Sequence, residues 1–178
     1  MIKNKKITQE TITQTHHLRN EGIPFDATLV EGININRSAV ERRAATIGTR
    51  RSVKKEYQAA WLLKAISCMD LTTLAGDDTK GNVFRLCAKA KNPVRKDLLE
   101  AMGMADAGIT TGAVCVYHNL IPYALEALKG TDIPIAAVST GFPAGQISLS
   151  EKLNEIELSV AAGAKEIDIV ISRALVLK

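Results

Sequence analysis

Four apolar segments rich in β-branched residues follow one another from residue 68 onwards, and an amphipathic segment lies between each pair. Short apolar runs of this kind are typical of strands, whereas apolar residues spaced three and four apart are typical of helices. Strands that alternate with helices pair in parallel and are joined by right-handed crossovers. The chain is therefore predicted to be an α/β protein, with strands at 68–74, 109–117, 133–139 and 164–171.

Two architectures have this order of elements: an open doubly wound sheet and a (β/α)8 TIM barrel. Neither the glycine-rich dinucleotide fingerprint nor the phosphate-binding loop motif, which would favour the open sheet, occurs in the sequence. Polar residues instead stand near the ends of the predicted strands, where a barrel builds its active site. They are Asp70, Thr72, Thr73, Tyr117, Ser139, Thr140, Asp168 and Ser172. Because a complete barrel needs about 250 residues, these four units predict an incomplete barrel.

Asp168 is an unusual residue for its position, because it stands between Ile167 and Ile169 in an otherwise apolar strand. A carboxylate there is costly to bury unless another group pairs with it. Two interpretations remain open. Asp168 lies on the solvated face of an edge strand, or it is a catalytic acid or base that points into a site.

The sequence before the first strand predicts a helical extension and two segments. Residues 1–36 are polar, which predicts a loosely ordered extension, and residues 37–178 are predicted to form the barrel part. A short helix with Ser38 as its cap is expected first, and a longer helix over 52–67 is expected to follow. Apolar residues on one face of the longer helix are predicted to pack against the main body. They are Val53, Tyr57, Ala60 and Trp61.

Composition limits the class of protein. With 178 residues, 46% hydrophobic and 24% charged, the chain can bury the core of one ordinary domain. No apolar run reaches the roughly 20 residues of a membrane-spanning helix, and no apolar stretch follows the basic start, so a cytoplasmic protein without membrane contact is expected. Its three cysteines, Cys68, Cys87 and Cys115, are widely spaced and are predicted to be buried thiols.

The charge pattern offers a weak binding signal. The net charge is +4, and basic residues gather between Arg37 and Lys55. Such a run can attract phosphates or nucleic acid. No aromatic residues interleave with it to stack on bases, so a solvated helix face is favoured and nucleic-acid binding is the weaker alternative. His16, His17 and His118 are too few and too scattered to predict a metal cluster.

Four ordered motifs resemble the deoxyribose-phosphate aldolase family. They are DLTTL at 70–74 with DDT at 77–79, AVCVY at 113–117, AVSTGFPAG at 137–145 and EIDIVI at 166–171. The segment RRSVKKEYQAAW at 50–61 resembles the animal-type version. The resemblance covers about residues 37 to 178.

The resemblance implies a class I aldolase on a (β/α)8 barrel. Such an enzyme cleaves 2-deoxy-D-ribose 5-phosphate to glyceraldehyde 3-phosphate and acetaldehyde in deoxyribonucleotide catabolism, without a metal or other cofactor. A lysine forms a Schiff base with the substrate carbonyl, and an aspartate on the fourth strand relays protons. Asp168 stands at the position of that aspartate. Asp70 and Thr72 match supporting positions at the rim, and Cys115 matches a cysteine near the pocket that is best read as a structural thiol.

The sequence departs from the family pattern in three ways. The strands that carry the Schiff-base lysine and the second lysine, and the phosphate-binding loops, correspond to sequence after Lys178, and no lysine of this chain matches either catalytic position. Lys165 and Lys178 are only close in sequence to the fourth strand. His118 stands where a proline is common, and Ser172 replaces a residue that is often asparagine.

Three accounts of the chain remain open. It is the amino-terminal part of a complete aldolase and inactive by itself, a short non-catalytic paralogue with a binding or regulatory role, or a half-barrel that associates with a second one. An isolated half-barrel exposes two unpaired sheet edges, which favours self-association. The expected partners are therefore a phosphorylated sugar or aldehyde in a complete barrel, or a second copy of the chain.

Overall fold

The computed structural model describes residues 24, 26–50 and 53–177, and the chain divides into two units, 1–52 and 53–178. The first unit contains a 3-10 turn, Ala27–Leu29, and helix α1, Arg37–Arg50. Asn36, the residue before helix α1, caps it by accepting a hydrogen bond from the Ala39 N–H at 3.0 Å, so the prediction that Ser38 is the cap is wrong. All of α1 is exposed. The predicted boundary after residue 36, and the loose order of residues 1–36, stay predictions, because most of that segment lies outside the described residues.

The second unit is a parallel α/β sheet with its helices in sequence order. The strands are β1 (Asp70–Thr72), β2 (Ala113–Tyr117), β3 (Ile135–Ser139) and β4 (Glu166–Ile169). The helices are α2 (Lys55–Ile66), α3 (Lys80–Lys91), α4 (Lys96–Ala101), α5 (Ile121–Leu128), α6 (Leu149–Ala161) and α7 (Arg173–Val176), with a 3-10 turn at His118–Leu120. The strands pair in the order β1-β2-β3-β4, all parallel. This arrangement confirms the predicted α/β fold, part of a (β/α)8 barrel.

Each strand is shorter than its apolar run predicted, for reasons that lie in tertiary contacts. Strand β2 begins at Ala113 because the preceding Gly112 donates to the Met69 carbonyl at 2.9 Å. A Cβ at Gly112 would lie only 3.2 Å from the Ser67 carbonyl oxygen, so a side chain there would require the neighbouring backbone to move by a few tenths of an ångström. Strand β4 ends at Ile169 because the next residue, Val170, forms hydrogen bonds with a side chain instead of a backbone.

The two faces of the sheet differ in character. One face, with Val114, Val116 and Ala137, packs against α3 and α5 through fully buried side chains such as Val83 and Ile121. Residues of the opposite face alternate with these along each strand. We call it the carboxylate face; it consists of Asp70, Thr72, Ala113, Cys115, Tyr117, Ala136, Val138, Glu166 and Asp168. In a closed barrel this is the face that points inward.

Helix α2 buries a different face from the predicted one. Tyr57 and Trp61 are 70% and 65% exposed, so the prediction that they pack against the main body is wrong. The buried residue of α2 is Leu63. With Ala59 and Ala60 it lines an apolar groove of about 490 Å³, whose other wall includes the chain after α4. The apolar residues of this helix surround too much of its circumference for spacing alone to select the buried face.

The three cysteines differ in their exposure to solvent. Cys87 and Cys115 are buried, but Cys68 is exposed, so the prediction of three buried thiols is wrong for Cys68. Cys68 lies in the turn between α2 and β1, outside both packed layers.

None of the helices in the described ranges has both the length and the apolar character needed to cross a membrane.

Candidate active site

The strand register brings the four predicted site residues to one face of the sheet. Asp70 is the partner of Ala113 and Thr72 is the partner of Cys115, while Asp168 is the partner of Val138 on the other side. In-register neighbours of a parallel sheet point to the same side. Asp70, Thr72, Cys115 and Asp168 therefore share the carboxylate face, although they come from three strands.

Cys115 shows that these side chains interact. Its side chain is only 1% exposed, and burial is the main cause that raises the pKa of the thiol to about 11. The charge of Asp168, and more weakly that of Asp70, raise this pKa further, whereas hydrogen bonds with Thr72 and with the Val138 backbone oppose the shift. The thiolate is the nucleophilic form of cysteine. Cys115 therefore stays a protonated, inert thiol at neutral pH.

The carboxylates of this face are exposed and without cationic partners in the described part of the chain. Asp70, Glu166 and Asp168 are all exposed, with β1 and β4 at the edges of the sheet. The ion pairs of the described residues are Arg37–Glu41, Lys80–Glu126, Arg95–Asp97 and Lys96–Glu100, all elsewhere. In this chain Asp168 thus lies on the solvated face of an edge strand, as the first of its two interpretations expected. Its side chain is open to solvent and to a group presented to the sheet.

The residues after β3 do not all lie where the sequence placed them. Ser139 is fully buried and follows the alternation of the helix-packed face, and its hydroxyl has no hydrogen-bond partner among the described residues. It therefore does not belong to the open rim predicted for it. The next residue, Thr140, has a φ of +60°, which is rare for a β-branched residue. Its hydroxyl bonds to the backbone beyond β4. The sequence had no signal for this conformation.

The two substituted positions, His118 and Ser172, make specific contacts. The Nδ1 atom of His118 lies 3.1 Å from the Oγ of Ser159, a fully buried residue of α6. Ser172 accepts a hydrogen bond from the Nζ of Lys152 at 2.7 Å. Lys152 is 8% exposed and was missed by sequence reasoning, because it stands among polar residues of an amphipathic helix.

No lysine of the described residues lies on the carboxylate face. Lys165 immediately precedes β4, and its backbone N–H donates to the Ile135 carbonyl at 2.8 Å. Lys178 lies outside the described residues, as do His16 and His17. Within the described ranges, no group of three or more histidine, cysteine, aspartate or glutamate side chains is placed to hold a metal ion.

No protein-family model matches the chain. The deoxyribose-phosphate aldolase of Bos taurus is 57% identical over 159 residues, which are 88% of this chain and 50% of the relative. That of Homo sapiens is 56% identical over 160 residues, 89% of this chain and 50% of the relative. A crystal structure from Coccidioides immitis, described as a candidate deoxyribose-phosphate aldolase, has a TM-score of 0.51 at 26% identity and covers 65% of this chain and 39% of its own.

The chain spans about half the length of the curated relatives it matches. Its four parallel strands in sequence order are what a part of an aldolase barrel contains. The chain is thus a relative of the deoxyribose-phosphate aldolases that corresponds to about half of their length and fits their amino-terminal part.

Proposed function

We propose that the chain is the β1–β4 part of a class I aldolase barrel that cleaves 2-deoxy-D-ribose 5-phosphate to glyceraldehyde 3-phosphate and acetaldehyde. The observation that carries the proposal is the register of the sheet, which gathers Asp70, Thr72, Cys115 and Asp168 on the carboxylate face. The identity to named aldolases supports the substrate and the reaction.

Asp168 is assigned the proton relay of this reaction. A Schiff-base aldolase must move protons to and from the carbon and oxygen atoms of the substrate. The Asp168 carboxylate stands one residue before the carboxyl end of β4, next to the rim at which barrels hold their substrates. We assign supporting roles on the same face to Asp70 and Thr72, which lie on β1 at the opposite edge of the sheet; the Thr72 hydroxyl donates to the Asp70 backbone carbonyl at 2.9 Å, a contact within β1.

The uncompensated carboxylates fit a partner surface that is rich in amines. Asp70, Glu166 and Asp168 have no cationic partner in the described chain, so their field attracts cations to the carboxylate face. Closing the barrel would exclude water and strengthen each such interaction. In the proposed barrel, the Schiff-base lysine is supplied by the part that corresponds to the unmatched half of the curated relatives.

The 178-residue chain alone is expected to form no Schiff base. None of the lysines in the described ranges lies on the carboxylate face, and the buried ammonium of Lys152 is held by Ser172. The test is treatment with 2-deoxy-D-ribose 5-phosphate and sodium borohydride, followed by mass spectrometry of the intact chain. The bovine relative, treated in parallel, is the control. A reduced adduct on a lysine of this chain would overturn the assignment.

A second candidate, a non-catalytic half-barrel that associates with a second copy, is favoured by the surface around β4. That strand is an edge of the sheet, and Ile169 and Ile171 are 61% and 57% exposed. Exposed leucine and valine residues continue this surface through α7, namely Leu175, Val176 and Leu177. An apolar edge strand of this kind invites pairing with another chain.

Size-exclusion chromatography with light scattering tests the association. The wild-type chain is expected to elute as dimers or larger species, and the double variant Ile169→Lys/Ile171→Lys to shift towards the monomer, because lysines at an edge oppose pairing. Leu98→Lys, at an exposed position of α4, is the matched control. A wild-type monomer peak with cooperative melting would contradict the second candidate and leave the aldolase assignment untouched.

A further inference from the structure

We propose that Thr140 is a positioning residue: its hydroxyl fixes the end of β4 and thereby the place of the Asp168 carboxylate on the carboxylate face. The proposal rests on the function assigned to Asp168, but its geometry is independent of substrate. Thr140 follows β3 directly, and Asp168 lies on the strand paired with β3.

The backbone of Thr140 is held in a conformation that its side chain disfavours. Its φ is +60°, and Lys55 is the other non-glycine residue with a positive φ in the described ranges. A β-branched side chain in the left-handed region is an outlier, and such strain persists only where the surroundings impose it. Here the strained backbone aims the hydroxyl at β4.

The Thr140 hydroxyl satisfies both backbone groups of Val170. Its Oγ1 accepts from the Val170 N–H at 2.6 Å and donates to the Val170 carbonyl at 3.0 Å. A hydroxyl can donate one hydrogen bond and accept two, so one side chain can serve both groups. The last backbone pair between the strands is Ser139 with Ile169, so the hydroxyl extends the ladder by one residue. Because side chains alternate along a strand, the side chains of Asp168 and Val170 point to the same face. The hydrogen bonds between Thr140 and Val170 therefore hold the segment that orients Asp168.

The loop that presents Thr140 is fixed from two further sides. The Gly141 N–H donates to Oε2 of Glu155, a residue of α6, at 2.9 Å. At Gly145, an added Cβ would lie 3.0 Å from Cγ1 of Val170 and 3.2 Å from the Ile171 carbonyl oxygen. The loop therefore lies directly on the chain after β4. Residues of β3, α6 and β4 together determine where the hydroxyl points.

Loss of the Thr140 hydroxyl should make the end of β4 more mobile, since β4 is an edge strand that pairs, within the described sheet, with β3 alone. Asp168 would then move relative to Cys115, whose titration senses the Asp168 charge. A residue with only a structural role would lower stability without changing this electrostatic contact. The Cys115 thiol is therefore a probe that separates the two roles.

The test compares Thr140→Val, which has a similar shape without a hydroxyl, with Thr140→Ser, which retains the hydroxyl, in the full 178-residue chain. Two signals are recorded by NMR: hydrogen exchange of the Val170 amide, and the 13C titration of the Cys115 Cβ. Asp168→Asn provides the titration without the Asp168 charge. The carboxylates of Asp70 and Asp168 both face Cys115, so Asp70 is left unchanged throughout.

Thr140→Val is expected to make the Val170 amide exchange about tenfold faster, as the loss of its hydrogen bond should. It is also expected to lower the Cys115 titration midpoint towards that of Asp168→Asn, whereas Thr140→Ser keeps both signals at wild-type values. If Thr140→Val does not fold by circular dichroism, Thr140→Gly removes the hydroxyl and also relieves the positive φ.

Three outcomes would overturn the proposal. The Cys115 midpoint of the folded variant lacking the hydroxyl stays at the wild-type value, Thr140→Ser behaves like Thr140→Val, or Asp168→Asn itself leaves the midpoint unchanged. Failure of the aldolase assignment would look different. A completed barrel would then be inactive or insensitive to Asp168, while the NMR signals still followed the Thr140 hydroxyl.

Discussion

In a barrel completed with the part of the bovine relative that this chain does not match, Asp168→Asn is expected to lower kcat about 10²- to 10⁴-fold, the usual contribution of a positioned general acid or base. Asparagine keeps the size of the side chain but cannot take up or release a proton. KM should change little, because the loss falls on proton transfer in the reaction and not on binding. The two parts are co-expressed, purified together and assayed by the release of glyceraldehyde 3-phosphate.

Glu166→Gln is the matched control for this variant. Glu166 lies on the same strand and the same face, is also exposed, and its substitution removes the same charge. If Asp168 acted only through its negative charge on the carboxylate face, the two variants would lose similar activity. A loss of less than threefold in Asp168→Asn, or an equal loss in Glu166→Gln, would contradict the relay assigned to Asp168.

The second large effect concerns stability. Ile121→Ala is expected to lower the free energy of unfolding by about 2–5 kcal/mol, since it removes buried methyl groups and leaves a cavity. Ile121 is fully buried at the start of α5 and belongs to the core between the helices and the sheet. A whole domain is typically stable by only about 5–15 kcal/mol. Urea denaturation followed by circular dichroism measures the change.

Leu153→Ala is the control for the core variant, because Leu153 lies on α6 and is 52% exposed. Its effect should be much smaller, since most of its surface already contacts water. Equal destabilisation by the two substitutions would mean that Leu153 is covered in solution, which would favour the self-associating candidate. A negligible effect of Ile121→Ala would contradict the packed core.

The order and type of the elements could be predicted from the sequence because periodicity records which side of an element is buried. The apolar runs that contain Val114, Val116 and Ala137 predicted strands, whereas the two faces became known only from the register of the sheet. The ends of the strands could not be predicted, because they depend on partners distant in the chain. Strand β2 begins only after Gly112, which bonds to the turn that follows α2. Strand β4 ends before Val170, whose backbone bonds to the Thr140 side chain and not to another strand.

The candidate site was predicted through motifs, and the contacts that hold it were not. The resemblance selected Asp168, Asp70, Thr72 and Cys115, and the register brings these four residues to one face. Spacing alone misjudged α2, where Trp61 is exposed and Leu63 is buried. The burial of Lys152 against Ser172 was also missed, because a lysine in an amphipathic helix is usually solvated.

The sequential strand order has a consequence for how such a chain can be made. Each strand pairs with the strands that precede and follow it in the chain, so no early segment must wait for a late one. A sheet of this topology can assemble during synthesis, one βα unit at a time, as the ribosome releases it. The growing edge is always the newest strand. The next strand can therefore pair with the exposed edge of each intermediate. A nascent chain that pauses after β4 would expose the backbone groups of that edge to chaperones and to other chains.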